Sequence, residues 1–281
     1  MAAVGSFLDA RSRGGRWLVR MEDLDRARVL PGSAEGILRS LEAFGLSWDG
    51  EVVYQSRRTR LYADALAFLR TAGLTFECSC SRRELRAEEA GETGYPGTCR
   101  EGPRRPGADT ATRFRVDETQ TLVVDDRFQG RIALAMGQLG DVIVRRRDGV
   151  FAYQLAVVVD DALQDVTDVV RGADLLESTG WQIALQRALG LPTPRYAHLP
   201  LLLERTGEKL AKSRRSAALE PRRAGPQLLE ALGLLGLPAP AELAGAAPAE
   251  LLEWARSRWP ARQLPLPREL ILPQRERSPR S

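Results

Sequence analysis

Cysteine, lysine and histidine are scarce in this 281-residue chain, and they fall where chemistry could use them. Cys78, Cys80 and Cys99 share one short segment and supply three soft ligands, of which zinc prefers four in a tetrahedron. An odd number of thiols in a reducing compartment argues against disulfides, which leaves buried free thiols as the alternative to a metal. The segment around them carries Gly91, Gly94, Pro96, Gly97, Gly102, Pro103, Pro106 and Gly107 and few apolar residues, so a metal staple suits it. On ligand chemistry alone the fourth position stays open between Glu77, Glu84, Glu92 and Tyr95 nearby and the remote His198, the one histidine.

The chain has 41 basic residues, yet only two are lysines, and both lie in one stretch, Lys209-Leu210-Ala211-Lys212-Ser213. Two ammonium groups three residues apart on a loop can straddle a triphosphate and neutralise the charge that grows as pyrophosphate leaves. By itself the stretch also reads as a solvated basic loop, and the absence of lysine elsewhere favours the phosphate role. Two further places combine charge with a strand end. Arg171 follows the apolar run Val166 to Val170, and the acidic cluster Glu22-Asp23-Leu24-Asp25 follows Arg16 to Met21.

The elements that would position these residues alternate between helix and strand. The spacing of Val4, Phe7 and Leu8 predicts an amphipathic helix over residues 2–13, and Arg16 to Met21 reads as a short strand. A helix follows Pro31-Gly32 with Ser33 as its cap, and another runs from Thr59 to Thr71. Residues 111–145 return to strand-like alternation, while Leu155 to Val159 and Val166 to Val170 read as buried strands. A helix over Trp181 to Leu189 ends at Gly190, and Tyr196 to Leu203 is a final strand. Helices are expected at Gln227 to Leu235 and Pro248 to Trp259, and the polar residues from Gln274 onward as a disordered tail. The pattern implies an α/β fold with a mostly parallel sheet.

Composition narrows the class. A hydrophobic content of 43% and a charged content of 28% describe a globular protein, and no apolar run approaches the roughly 18 residues that span a bilayer. No basic region precedes the first apolar residues, so the start is a poor secretory signal and a cytoplasmic setting is expected. The net charge of +4 permits an anionic partner without requiring one.

Taken together these places resemble class I aminoacyl-tRNA synthetases of the glutamyl type. Lys209 to Ser213 is similar to the KMSKS-type loop, with Ala211 at the usual first serine. Phe151 to Asp161 resembles the glutamyl-specific segment, Val170-Arg171-Gly172-Ala173-Asp174-Leu175-Leu176 the arginine-bearing motif, and Arg20-Met21-Glu22-Asp23-Leu24-Asp25 the strand end after the first helix. Only 68 residues follow Ser213, too few for the anticodon-binding region of full glutamyl-tRNA synthetases. The Cys78, Cys80, Tyr95, Cys99 set is similar to the zinc site of the short branch, the glutamyl-Q tRNA(Asp) synthetases, where tyrosine is the fourth ligand.

The resemblance implies a Rossmann-type catalytic domain over residues 1–200, a zinc-binding insertion at about 76–125, and a helical stem-contact-like subdomain with the KMSKS-type loop over 201–273. It implies that Glu22, Tyr153 and Arg171 bind L-glutamate, that Lys212 and Lys209 serve ATP with Mg2+, and that one structural Zn2+ is held. Activated glutamate would then be esterified onto queuosine in the anticodon loop of tRNA(Asp) by a monomer. The family opens with a strand and a HIGH-type phosphate-cradling turn that these residues lack, and His198 does not stand in for it. A start assigned too far downstream is the favoured explanation over a genuine truncation. An inactive RNA-binding relative and a glutamyl-tRNA synthetase fragment are the competing readings.

Overall fold

The computed structural model describes residues 1–87, 94–203, 219–259 and 266–271. The stretch Lys209 to Ser213, Glu92 and the tail from Gln274 lie outside the described residues.

Helix α1 (Ala2–Ser12) buries Val4, Phe7 and Leu8 on one side, as their spacing predicts. Strand β1 (Arg20–Met21) is shorter than its apolar run and lies parallel to β2 (Val53–Tyr54). Between them, α2 (Ser33–Ala43) is not capped by Ser33, which is already its first residue. Gly32 takes the cap position at φ +75°, a conformation that costs glycine little. Helix α3 (Thr59–Thr71) has the expected bounds and buries Tyr62, Leu66 and Leu69.

Strand β3 (Thr75–Cys78) leads into α4 (Arg82–Ala87) and returns as β4 (Ala111–Phe114), antiparallel to β3. A hairpin follows, β5 (Thr121–Asp126) with β6 (Gly130–Ala135), then the short α5 (Met136–Leu139) and β7 (Val142–Arg145), which pairs antiparallel with β4. The segment expected as a strand at Leu155 to Val159 is instead the middle of α6 (Tyr153–Leu163). Every residue from Leu155 to Asp161 is buried, so the helix has no polar stripe to reveal its period. A short apolar β-branched run of that kind cannot be told from a strand by pattern.

Strand β8 (Asp168–Gly172) runs parallel to β9 (Arg195–Leu199) across α7 (Ser178–Ala188), placing Arg171 beside His198. Strand β10 (Leu201–Leu203), α8 (Ala224–Leu234), α9 (Pro248–Arg258) and β11 (Glu269–Ile271) complete the described chain, with β10 and β11 parallel. The single mostly parallel sheet expected from the alternation is thus not what forms among the described residues. Among the described strands the parallel pairs are β1 with β2, β8 with β9 and β10 with β11, and those from β3 to β7 pair antiparallel.

Three apolar clusters hold these elements. One joins α1, α8 and α9 around Leu8, Leu228 and Leu251; a second joins α3, α6, α7 and β7 around Tyr62, Leu155 and Val144. The third is small and separate, built from Phe76, Tyr95 and the three cysteines. Asp9 ties α1 to the rest through Arg127 and the Trp259 indole, which donates to its carboxylate at 3.1 Å. Residues of β1, β8 and α1 line a groove of about 730 Å³, bordered by Arg20, Glu22, Asp161 and Val170. None of the described helices is long and apolar enough to cross a membrane.

Candidate active site and metal centre

Arg171 projects from β8 into the junction of α6, α7 and β9 and is 8% exposed. A guanidinium carries five N–H donors, and all five are engaged. Nε–H donates to His198 Nε2 at 3.1 Å, and Nη1 to Gln182 Oε1 at 2.7 Å and Tyr153 Oη at 3.3 Å. Nη2 donates to Thr179 Oγ1 at 2.8 Å and to the Leu175 carbonyl at 3.2 Å. Every one of these acceptors is neutral, and no carboxylate among the described residues forms an ion pair with Arg171. A buried cation without a counter-ion costs several kcal/mol, and an arriving anion would recover part of that cost. A ligand carboxylate must displace some of these bonds, and those to Tyr153 and Leu175 are the longest.

Tyr153 opens α6 and touches Arg171 directly, so the structure brings these two expected site residues together. Burial raises its hydroxyl above the ordinary value, and the Glu22 and Asp161 carboxylates add to this against Arg171. It therefore stays protonated, and while it accepts from Arg171 its own hydrogen is available to a ligand. Glu22 is not bonded to either of them. It stands beyond the end of β1, 42% exposed, with Arg20 Nη2 at 3.4 Å, and acts on Tyr153 through space. Desolvation in the groove raises its carboxyl above the ordinary range, against the attraction of Arg20.

The last turns of α6 carry two carboxylates where the helix dipole disfavours anions, so cations must hold them. Asp160 is fully buried and accepts from Arg58 Nε at 2.7 Å, Gln55 Nε2 at 2.9 Å and the Tyr62 hydroxyl at 2.7 Å. Asp161 accepts from Arg20 Nη1 at 2.8 Å. Burial keeps Asp161 above the ordinary carboxylate range, with Arg20 opposing the shift. Sequence reasoning quoted both aspartates within the Phe151 to Asp161 segment without giving them a task. It also missed Asp126, Thr179 and Gln182. Asp126 had left a signal: in the alternation of β5 it falls on the buried face with Leu122 and Val124, where an unpaired aspartate would be costly.

The cysteines converge as expected. The Sγ atoms of Cys78, Cys80 and Cys99 lie within 4.8 Å of one another, all buried, and Cys80 to Cys99 is 3.4 Å. Tyr95 Oη is 3.4 Å from Cys78 Sγ and 3.8 Å from Cys80 Sγ, and the Cys99 amide donates to it at 2.8 Å. Tetrahedral zinc with 2.3 Å bonds to sulfur sets ligand atoms about 3.8 Å apart, so the four groups suit that ion. Without a metal the thiols are unequal. Burial and the neighbouring Cys99 push Cys80 up to about 12. Burial also acts against Cys99, but Tyr95 and the Arg104 amide bring it down to about 6. Glu77, one of the open alternatives, is taken up by Thr110, Thr112 and Arg70, and Glu84 by Ser81 and Arg105.

Residues 1–224 match the family model described as tRNA synthetases class I (E and Q), catalytic domain. The chain is 53% identical to the glutamyl-Q tRNA(Asp) synthetase of Ectopseudomonas mendocina, over 96% of this chain and 90% of that protein. Proteins of the same name from Thiobacillus denitrificans and Pseudomonas aeruginosa are 52% and 49% identical, each over 94% of this chain and 89% of the relative. Among solved structures, a glutamate tRNA ligase from Elizabethkingia meningosepticum, in complex with its amino acid, is similar with a TM-score of 0.66. At 24% identity this is a likeness of fold, covering 78% of this chain and 50% of that one, so the chain spans about half the length of that ligase.

The crowded carboxylates give a measurable signature. A carboxyl whose pKa is raised on folding lowers stability as pH rises through that pKa. Asp161→Asn keeps an oxygen for Arg20 and removes the charge. It should therefore unfold at higher urea than the parent at pH 7, and the gap should close as pH falls towards about 4. A variant less stable at pH 7 by an amount independent of pH would show that pairing with Arg20 outweighs desolvation.

Proposed function

The chain belongs to the class I tRNA synthetase (E and Q) catalytic-domain family of ligases, and on that premise we propose that it activates L-glutamate with ATP and transfers the glutamyl group to queuosine in the anticodon loop of tRNA(Asp). The observation that carries this reading is Arg171, a buried guanidinium bonded only to neutral groups and touching Tyr153. A substrate carboxylate supplies the missing counter-charge through a charge-assisted pair. Glu22, with its carboxylate on the adjoining groove, balances the substrate ammonium.

Lys209 and Lys212 neutralise the phosphates of ATP, which enters with Mg2+. A glutamate carboxylate oxygen attacks the α-phosphorus in line, an O–P bond forms, and pyrophosphate leaves with the electrons of the broken bond. A queuosine hydroxyl then attacks the acyl carbon, loses its proton, and AMP departs. Neither step needs a protein nucleophile, so positioning and charge neutralisation carry the reaction. Queuosine rather than a 3′ end is favoured as acceptor because relatives of that name align over nearly the whole of this chain. The protein acts as a cytoplasmic monomer. One structural zinc, held by Cys78, Cys80, Cys99 and Tyr95, supplies the cross-links that the small cluster around Phe76 lacks.

Labelled L-glutamate, ATP and tRNA(Asp) with or without queuosine test the acceptor. Label should appear in an ester on the queuosine-bearing tRNA and be absent from the unmodified one. Equal labelling at the 3′ end of both would identify a charging enzyme instead, and no labelling despite intact tRNA binding would identify an inactive relative.

Metal analysis of the purified chain should give about one zinc per molecule, lost in Cys80→Ala, and chelation should lower the unfolding temperature. A metal-free chain whose stability ignores the chelator would contradict the assignment.

A further inference from the structure

His198 is the one histidine of the chain, and it is buried at 1% exposure beside the guanidinium to which the proposed function assigns the substrate carboxylate. Its two ring nitrogens face opposite partners. Nδ1 lies 2.6 Å from Asp126 Oδ2, and Nε2 lies 3.1 Å from Arg171 Nε. Arg171 always carries its Nε hydrogen, so Nε2 must be the bare acceptor and the ring proton must sit on Nδ1. Asp126 enforces that tautomer. Its Oδ1 receives the backbone amides of Phe128 and Gln129 at 2.9 Å and of His198 at 3.1 Å, so Oδ2 is left for the ring. These hydrogen bonds, with the one from His198, hold the Asp126 carboxyl below its ordinary value although burial opposes it.

The ring itself is fixed. It stacks on Tyr196 at an interplanar angle of 9°, and the Gln129 side chain donates to the His198 carbonyl at 2.9 Å. Tyr196 also lies under Arg171, with the guanidinium carbon 5.4 Å from the ring centre. Thr179 Oγ1 is 3.3 Å from Nε2 while accepting from Arg171 Nη2, so its hydrogen is free to turn towards the imidazole. From β5 through β9 to β8, the Asp126 anion is thus relayed by one imidazole to the edge of the Arg171 cation. That edge is opposite the Nη1 and Nη2 corner where Tyr153 and Leu175 would be displaced.

The geometry points to Asp126 and His198 as positioning residues for glutamate binding: together they set the imidazole tautomer that clamps Arg171 Nε and so aim the two Nη groups at the substrate carboxylate. This deepens the proposed function and rests on its assignment of Arg171. The pair touches no substrate. A merely structural role would be satisfied by any group that fills the space, whereas the clamp needs an acceptor at the Nε2 position.

Asp126→Asn separates these roles. Three backbone amides require the oxygen of the new side chain at Oδ1, so its NH2 must face Nδ1. The ring proton then moves to Nε2 and opposes the Arg171 Nε–H. His198→Phe removes the acceptor and keeps a ring, whereas His198→Gln keeps an acceptor near the Nε2 position. Calorimetric titration with L-glutamate should show Asp126→Asn and His198→Phe weakened by about tenfold or more, and His198→Gln within about threefold of the parent. Nitrogen-15 spectra of histidine-labelled protein, which contain one imidazole, should place the proton on Nδ1 in the parent. A parent spectrum with the proton on Nε2 overturns the proposal. So does binding within about twofold of the parent in Asp126→Asn and His198→Phe while Arg171→Lys loses about tenfold, a result that leaves the role of Arg171 standing. Undiminished binding by Arg171→Lys overturns the assignment of Arg171, and the clamp with it. If Asp126→Asn fails to fold, the two His198 variants and the spectrum decide.

Discussion

A positive charge buried among neutral groups is the constraint around which this molecule is arranged. Arg171 needs five acceptors in fixed places, and they come from α6, α7, β9 and the turn after β8. The parallel pairing of β8 with β9 sets His198 against its Nε, and the first turns of α7 bring Thr179 and Gln182 to its Nη groups. Gln182 is held in turn by Gln154, and Gln154 donates to Ser178, so α6 and α7 are locked by a polar chain at the site. A half-satisfied network of this kind would be worse than an apolar core, which explains why so many buried polar side chains gather here.

The second organising charge is negative. Asp160 and Asp161 end α6 against its own dipole, and each draws an arginine from the N-terminal third of the chain. Asp160 reaches α3 through Tyr62 and Arg58, and Asp161 reaches β1 through Arg20. The same bonds that offset the cost of the aspartates therefore dock the β1 and α3 region onto α6. Glu22 is carried to the groove as a consequence. Arg20 thus serves both the packing of β1 on α6 and the placement of Glu22, which is not bonded to Arg171.

How far the sequence announces this depends on the range of the interaction. Helices α1, α3, α8 and α9 declare themselves within a few residues of their bounds, because each has one apolar stripe. Gly190, at φ +66°, ends α7 as a left-handed glycine should. Scarcity did the same for the cysteine cluster, since three cysteines in one core-poor segment have few structural uses, and their sulfur atoms do converge. Helix α6 stayed hidden because it is buried on all sides, and the cap of α2 because Gly32 supplies a backbone angle rather than a side chain. The clamp on Arg171 was out of reach for a different reason. Asp126 and His198 are 72 residues apart and Arg171 and His198 27, so nothing local in the sequence pairs them. In the sequence His198 stands out only as a remote candidate ligand and as a residue that does not replace the HIGH-type turn.

The account stands on Arg171 being held for a substrate carboxylate, and ligand chemistry tests that without altering the protein. L-glutamate, L-glutamine and γ-aminobutyrate differ in which carboxylate they keep, and each can be titrated calorimetrically against the same chain. The account predicts that at least one of the two monocarboxylates binds about tenfold or more weakly than L-glutamate, the loss expected for a charge-assisted bond. Equal affinity for all three would mean that no carboxylate reaches the buried cation, and would contradict it.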